Sequence, residues 1–201
     1  VLSVRPVCVP EVALTGRAWS PSRHHSDRVA RRVRVLKLAS WIAAAVTASF
    51  GALQLTLGGA LWWLGVANVA CAVVFLVIPK LCPYGELVAP LTFAVFAYAS
   101  VGFMCYTVGT GSGLQFYFLV AASLMVLVLG IERIALASLV AAAGGALTIA
   151  LEMTVPDSRG LGPPWTLTVG FVSSVVGSAV MVVATIWYTL REIDRAEAAM
   201  E

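Results

Sequence analysis

Residues 170–201 form an apolar segment that passes into a charged one without a helix-breaking residue between them. No glycine follows Gly177 and no proline follows Pro164, and these are the residues that most often end a helix. We therefore expect one helix that leaves a membrane and continues into the cytosol. Because the pattern is still helical at Glu201, we interpret this helix as a connector to a cytosolic part that this sequence does not contain.

The composition supports a polytopic membrane protein. Hydrophobic residues make up 60% of the 201 residues and charged residues only 11%, whereas about a quarter of a soluble domain is charged. We expect the lipid bilayer to be the main partner, and we expect no nucleic acid partner.

Apolar runs divide the chain into six predicted spans joined by short loops. The first, Leu36–Leu57, would be about 33 Å long as a helix, enough to cross the hydrocarbon. The others are Leu61–Ile78, Leu87–Val108, Leu114–Ile131, Ile134–Val155 and Trp165–Leu190. The predicted fold is an all-α membrane protein, a six-transmembrane-helix bundle whose sixth helix extends into the cytosol. Residues 1–27 are predicted to be a flexible cytosolic tail, 28–190 the transmembrane domain and 191–201 the start of the connector helix.

Basic residues fix the predicted orientation. Nearly all of those close to span ends fall on the side of both termini: Arg28, Arg31, Arg32, Arg34, Lys37, Lys80, Arg133, Arg191 and Arg195. The opposite side has only Arg159. Because cytoplasmic loops are enriched in Lys and Arg, we expect a multi-pass protein of the inner (plasma) membrane with both termini in the cytoplasm.

One ionisable residue, Glu152, lies inside a predicted span, and such residues are costly in lipid. It shares a helix face with the small residues Ala141, Gly145 and Thr148, so we expect its carboxylate to point into the bundle. With Asp157 it is a candidate acidic pocket on the outer side for a cation or a small ligand. Other polar residues are predicted near the same level: Gln54, Tyr106 and Gln115. The alternative is that Glu152 reaches water at the outer surface or is protonated.

The sixth span carries two further patterns. Gly170, Ser174 and Gly177 predict close helix packing, within the bundle in preference to a dimer. At the inner end a heptad spacing predicts a parallel two-stranded coil between two copies, in preference to a helix lying on the membrane surface. Its positions are Ile186, Leu190, Ile193, Glu197 and Met200.

The sequence contains no catalytic or phosphate-binding motif and no Cys and His set at metal-ligand spacing. A small transporter or channel is the alternative function, although transporters usually carry several ionisable residues in their spans. A third possibility is an assembly subunit with no signal of its own.

Several long runs resemble one family in the same order along residues 28–201. They are LVAPLTF (87–93), GTGSGLQFYFLVAASLMVLVLGIERIALA (109–137), ALTIALEMTVP (146–156), PPW (163–165) and ATIWYTLREIDRAEAAME (184–201). These runs are similar to the membrane anchor of the mycobacterial class III adenylyl cyclases. That anchor has six spans followed by a cytosolic helix and one cyclase domain, and it resembles half of a mammalian membrane adenylyl cyclase.

The resemblance implies a homodimer in which two cyclase domains convert ATP to cyclic AMP and pyrophosphate with Mg²⁺ or Mn²⁺. The cyclase domain has no counterpart in these residues, so no catalytic, cofactor-binding or metal-binding residue is transferred to this chain. The expected function is that of a membrane domain that anchors, dimerises and regulates a cyclase domain, and the chain alone is expected to have no cyclase activity.

Overall fold

The computed structural model describes residues 21–130, 133–161 and 164–198 as helices joined by short turns, with no strand in these ranges. The α-helices are α1 (Pro21–Leu57), α2 (Trp62–Val77), α3 (Val88–Val108), α4 (Phe116–Leu129), α5 (Ile134–Thr154) and α6 (Pro164–Ala198). Short 3₁₀ helices occupy Gly59–Leu61, Ile78–Tyr84 and Thr110–Ser112. The all-α class predicted from the sequence is confirmed.

Within the described residues, five helical segments are long and apolar enough to cross a membrane. They are Arg32–Leu57, Trp62–Tyr84, Val88–Val108, Ile134–Thr154 and Trp165–Tyr188. The predicted fourth span differs, because α4 has only 14 residues. At about 1.5 Å per residue it is roughly 21 Å long, against about 30 Å of hydrocarbon. Gly113 and Gly130, both at φ 69°, turn the chain just outside the two ends of α4.

The two terminal helices are longer than a bilayer requires. α1 begins at Pro21, so residues 21–27 of the predicted tail belong to this helix, and residues 1–20 lie outside the described residues. Proline is favoured in the first turn of a helix, and no glycine or proline follows Pro21 before Gly51. α6 continues without interruption past Leu190, where the predicted sixth span ends.

The chain divides into two compact units. The first contains the described residues up to Phe96 together with Leu127–Ile134, and the second contains Ala97–Val126 and the described residues from Ala135 onward.

In the first unit, α1 and α2 pack closely because two glycines face each other. A Cβ atom added to Gly65 would lie 2.9 Å from the carbonyl oxygen of Gly51 and 2.7 Å from Cγ of Leu55. Beside this contact the Asn68 Nδ2 donates a hydrogen bond of 2.7 Å to Gln54 Oε1. Small residues let helices approach, and a polar pair between them satisfies groups that lipid cannot. These contacts fix the alignment of α1 against α2.

Aromatic packing and one ion pair complete the first unit. The ring of Phe75 lies 5.5 Å from that of Phe93 and 5.0 Å from that of Phe96, between ring centroids. Edge-on arrangements of this kind stabilise aromatic pairs beyond their buried area. Arg133 Nη2 lies 3.4 Å from Oε2 of Glu86, which is located between α2 and α3.

In the second unit, Tyr98 connects three helices. Its hydroxyl donates a hydrogen bond of 2.9 Å to the carbonyl oxygen of Val140 on α5. Its ring packs edge-on against Phe118 of α4, with 5.4 Å between centroids. Gly144 makes room for the hydroxyl, since a Cβ there would lie 2.7 Å from Tyr98 Oη.

We predict that Gly65→Ala separates α1 from α2. The added methyl meets backbone at Gly51, which cannot move aside as a side chain can, so we expect a loss of about 1–3 kcal/mol in stability. Thermal unfolding of the purified protein in detergent measures the effect. Gly145→Ala is the matched control, because a Cβ at Gly145 meets no atom within 4 Å. Equal unfolding temperatures for the two variants would contradict the predicted role of the glycine contact.

Candidate functional site

Two loops of the second unit are joined through their backbones on the predicted outer side. The Thr110 amide donates to the carbonyl oxygen of Pro156 at 3.3 Å, and the Gly111 amide donates to that of Asp157 at 3.0 Å. The Arg159 amide donates to the carbonyl oxygen of Val108 at 3.3 Å. The loop after α5 therefore lies along the turn between α3 and α4.

Two glycines make this approach possible. Gly109 has φ 109°, a conformation that side chains disfavour. A Cβ at Gly111 would lie 2.7 Å from the carbonyl oxygen of Asp157. In the GTGSG sequence, glycine thus allows one backbone to contact another, a role that the sequence alone did not reveal.

The joined loops carry one acidic and one basic side chain, Asp157 and Arg159. Asp157 Oδ1 accepts a hydrogen bond of 3.5 Å from Thr110 Oγ1. The guanidinium of Arg159 lies 4.6 Å from the ring centroid of Tyr106, a cation–π contact. Asp157 and Arg159 are both exposed, so this region can meet water and dissolved ions.

Glu152 is exposed, and the inward orientation expected for its carboxylate stays a prediction. The line of buried residues on α5 passes through Ala137 and Gly144. Leu151 continues this line. Glu152 is the next residue, and one residue on a helix corresponds to a rotation of about 100°, so Glu152 lies to the side of the line. In the described ranges no group of three or more His, Cys, Asp or Glu side chains could hold a metal ion. A cation site at Glu152 and Asp157 stays a prediction.

Two of the three polar residues predicted near Glu152 have other partners, and the third, Gln115, has a buried side-chain oxygen without a hydrogen-bond partner. Gln54 accepts its hydrogen bond from Asn68 in the first unit, and Tyr106 stacks on Arg159 in the second. The sequence analysis missed Asn68, which is only 6% exposed. The sequence did contain this signal. An amide side chain in the middle of an apolar run is costly in lipid, as a carboxylate is, and it therefore predicts a hydrogen-bond partner on another helix.

α6 packs with its small-residue face, as predicted. A Cβ added to Gly170 would lie 3.6 Å from Ser112 Cβ, and one added to Gly177 would lie 2.5 Å from Tyr117 Oη. Ser174, between them, is fully buried. The contact is therefore made inside the second unit.

The predicted connector residues lie on the other face of α6. Ile186 is 53% exposed and Leu190 is 56% exposed. The helix backbone is described as far as Ala198 and includes Ile193, whose side chain lies outside the described residues, as does all of Met200. The structure thus leaves Ile186 and Leu190 available for a contact with another molecule.

We predict that Gly111→Ala separates the two outer loops. Arg159 is the only basic residue between Arg133 and Arg191 and the only one near a span end that is predicted on the outer side, so we expect trypsin added to that side to report on this loop alone. With the backbone hydrogen bond from Gly111 to Asp157 lost, we expect cleavage at Arg159 to become several-fold faster. Gly145→Ala serves again as the control, and equal cleavage rates would show that the loop contact does not restrain Arg159.

Comparison with known proteins gives a consistent result. The MASE7 family model, which describes a membrane-associated sensor domain, matches residues 22–201. Proteins named adenylate cyclase from Mycobacterium bovis and Mycobacterium tuberculosis are each 47% identical over 197 residues. These alignments cover 98% of this chain and 44% of each relative, so the chain spans less than half the length of the curated relatives it matches.

The resemblance to the membrane anchor of a mycobacterial adenylyl cyclase is confirmed by these matches. They extend over all the described helices, including the part of α1 that precedes the first predicted span. The chain belongs to the MASE7 family of membrane-associated sensor domains.

Proposed function

We propose that this chain is the membrane domain of an adenylate cyclase and that it holds two copies of a C-terminal cyclase domain together at the membrane. The observation that carries the proposal is the 47% identity to mycobacterial adenylate cyclases over 98% of this chain. In the complete protein, the cyclase domains convert ATP to cyclic AMP and pyrophosphate with Mg²⁺ or Mn²⁺. The residues that bind the nucleotide and the metal ions belong to that domain.

The part of this chain that acts on the cyclase domain is α6. Its 35 residues make a helix about 52 Å long, roughly 20 Å more than the hydrocarbon requires. A continuous helix transmits position and rotation, whereas a glycine-rich linker of the same length behaves as a flexible coil. α6 therefore sets where the cyclase domain begins and how it is rotated.

The proposed homodimer uses the heptad positions at the inner end of α6. Ile186 and Leu190 are exposed in the structure, and Ile193 and Met200 continue their spacing in the sequence. Apolar residues repeating every 3.5 positions favour a two-stranded coil. In such a coil the two cyclase domains start side by side and in register.

The proposed topology has six spans, with both termini in the cytoplasm of an inner-membrane protein. It is supported by the distribution of basic residues and by exposed tryptophans near the ends of the predicted spans, where the membrane interface favours them. Trp41, Trp62, Trp165 and Trp187 are all exposed. α4 crosses together with its flanking turns, since its 14 residues alone are too short.

This topology makes a direct prediction for fused reporters. A reporter after Glu201 and one inserted after Arg133 should both report the cytoplasm, and one inserted after Ser158 should report the outside. Paired alkaline phosphatase and fluorescent protein fusions provide the measurement. An outside signal at Arg133 would mean that α4 does not cross the membrane.

The proposed regulatory input lies on the outer side, at the exposed carboxylates of Glu152 and Asp157. They are candidates for binding a cation or a small cationic ligand. The described loop around Asp157 contacts the turn between α3 and α4 and precedes α6 directly. A ligand bound there would act next to the beginning of the connector helix.

The proposed function predicts that this chain increases the activity of a cyclase domain joined to it. A fusion of residues 1–201 to the C-terminal part of the Mycobacterium tuberculosis relative should make several-fold more cyclic AMP in membranes than that part alone. The physical reason is the high effective concentration of two tethered domains. The activities of the fusion and of the cyclase part alone are compared by measuring cyclic AMP production in a host strain without its own cyclase.

A matched fusion separates attachment from alignment. Replacing residues 191–201 by a Gly-Ser segment of equal length keeps the cyclase domain on the membrane but removes the helical connector. We expect its activity to fall below that of the intact fusion. If the intact fusion were no more active than the free cyclase part, the proposed dimerising function would be wrong.

A further inference from the structure

The turn between α4 and α5 brings two arginine residues to one place at the predicted inner surface. Gly130 begins this turn with φ 69°, and a Cβ added to it would lie 3.2 Å from Nη2 of Arg32 on α1. The amide of Arg133, at the other end of the turn, donates a hydrogen bond of 3.2 Å to the carbonyl oxygen of Gly130. All three residues belong to the first unit. We call Arg32 and Arg133 the turn arginines.

The guanidinium of Arg133 is incompletely neutralised. Its side chain is 35% exposed, and Nη2 lies 3.4 Å from Oε2 of Glu86, which is 42% exposed. Nη1 is buried, and no atom in the described part of the chain accepts a hydrogen bond from it. A guanidinium has five N–H donors, so a single carboxylate at this distance cannot match them all. A charge that is partly withdrawn from water in this way favours a further anionic partner.

The first unit carries an excess of positive charge. In residues 21–96 and 127–134, eight basic residues stand against three acidic ones. The basic residues are Arg23, Arg28, Arg31, Arg32, Arg34, Lys37, Lys80 and Arg133, and the acidic ones are Asp27, Glu86 and Glu132. Like charges repel each other more strongly beside a medium of low dielectric constant. An anion from outside the chain would therefore stabilise this end of the unit.

The turn arginines lie at the depth of the lipid headgroups. Arg32 is one helical turn, about 6 Å, before Leu36, where the apolar run of α1 begins. Arg133 directly precedes the apolar segment Ile134–Thr154. The headgroup layer adds roughly 5–7 Å on each side of the hydrocarbon, so both guanidiniums fall within it. Tyr84 of the same unit is 75% exposed, and tyrosine is enriched at this level. The most abundant anions there are the phosphate groups of phospholipids.

We propose that the turn arginines bind the phosphate group of an anionic phospholipid in the cytoplasmic leaflet. A guanidinium can donate two parallel hydrogen bonds to the oxygens of one phosphate, and basic pockets between helices at the cytoplasmic side of a membrane bind such headgroups. A lipid with net negative charge is favoured over a zwitterionic one, because the positive charge of the unit repels a headgroup amine. The inference goes beyond the proposed function, and it uses the proposed topology only to name the leaflet.

Lipid-dependent stability tests the site. The purified protein in an uncharged detergent is unfolded thermally with and without phosphatidylglycerol, and each variant is compared with itself without lipid. A ligand that binds only the folded state raises the unfolding temperature. We expect a rise of several degrees in the unchanged protein and the loss of most of that rise in Arg133→Gln.

Arg34→Gln is the matched control. Arg34 is exposed on the same end of α1, and its replacement removes the same charge, so we expect this variant to keep the rise. An equal loss in Arg34→Gln and Arg133→Gln would mean that only net charge attracts the lipid, and it would overturn the proposal.

A substitution at Glu86 separates lipid binding from a structural role of the ion pair. Glu86→Gln removes the carboxylate that competes with phosphate for Nη2 of Arg133. We therefore expect a larger rise with phosphatidylglycerol in Glu86→Gln and a smaller one in Arg133→Gln. If the ion pair only held the fold together, the two variants would respond alike. An unchanged or smaller rise in Glu86→Gln would contradict the proposal.

Two further ligands identify the source of the phosphate. Phosphatidylcholine carries a phosphate next to a cationic amine, and inorganic phosphate carries no acyl chains. We expect phosphatidylcholine to give a smaller rise that Arg133→Gln does not change, and inorganic phosphate at equal concentration to give none. A rise with inorganic phosphate as large as that with phosphatidylglycerol would assign the site to a soluble anion and overturn the lipid proposal.

A second measurement does not depend on unfolding. The anionic phospholipid that stays bound through purification is extracted and counted per protein by mass spectrometry. It should be several-fold lower in Arg32→Gln and Arg133→Gln than in the unchanged protein and Arg34→Gln. Size-exclusion chromatography verifies that the compared proteins are folded. Equal amounts in all four proteins would also overturn the proposal.

Discussion

The absence of water from the hydrocarbon core is the constraint on which the rest of the structure depends. Each backbone amide that crosses must be paired inside its own helix, so the fold is reduced to helices and to the contacts between them. In the described part of the chain these contacts include glycine against backbone at Gly51 and Gly65, an amide pair at Asn68 and Gln54, and a tyrosine hydroxyl on a helix carbonyl at Tyr98. These three contacts depend on close approach rather than on the hydrophobic effect.

The positions of the helices were largely predictable from the sequence. Apolar runs ended by glycine, proline or charge placed α2, α3, α4 and α5 within two residues of their observed bounds. The predicted fourth span is still four residues longer than α4, because the turns at Gly113 and Gly130 leave the first and last residues of the apolar run outside the helix. α1 was predicted too short because its charged first turns were interpreted as a tail, although nothing in residues 22–35 breaks a helix.

The candidate site was less predictable. The inward orientation expected for Glu152 depended on the face of α5 that carries Ala141, Gly145 and Thr148, whereas the fully buried residues of α5 are Ala137 and Gly144. On a helix a shift of one residue rotates a side chain by about 100°, so a small-residue face defines an orientation only coarsely. The contact between the loops after α3 and after α5 is made by backbone atoms of Gly111 and Asp157. Every residue type can make such backbone hydrogen bonds, so the sequence of side chains does not predict them. The packing of Gly170 and Gly177 was predictable because small residues at helical spacing have few other uses in a membrane.

The unbroken helix of α6 has a consequence for how related chains can diverge. On a rigid helix, adding or removing one residue moves whatever follows by about 1.5 Å and rotates it by about 100°. Changes in the length of the connector therefore act on angle far more than on distance. If a cyclase domain follows α6 as proposed, insertions and deletions after Leu190 in steps of seven residues would keep its orientation to within about 20°. Other steps would rotate that domain to a different angle, so the length of α6 would be a means by which evolution adjusts its resting activity.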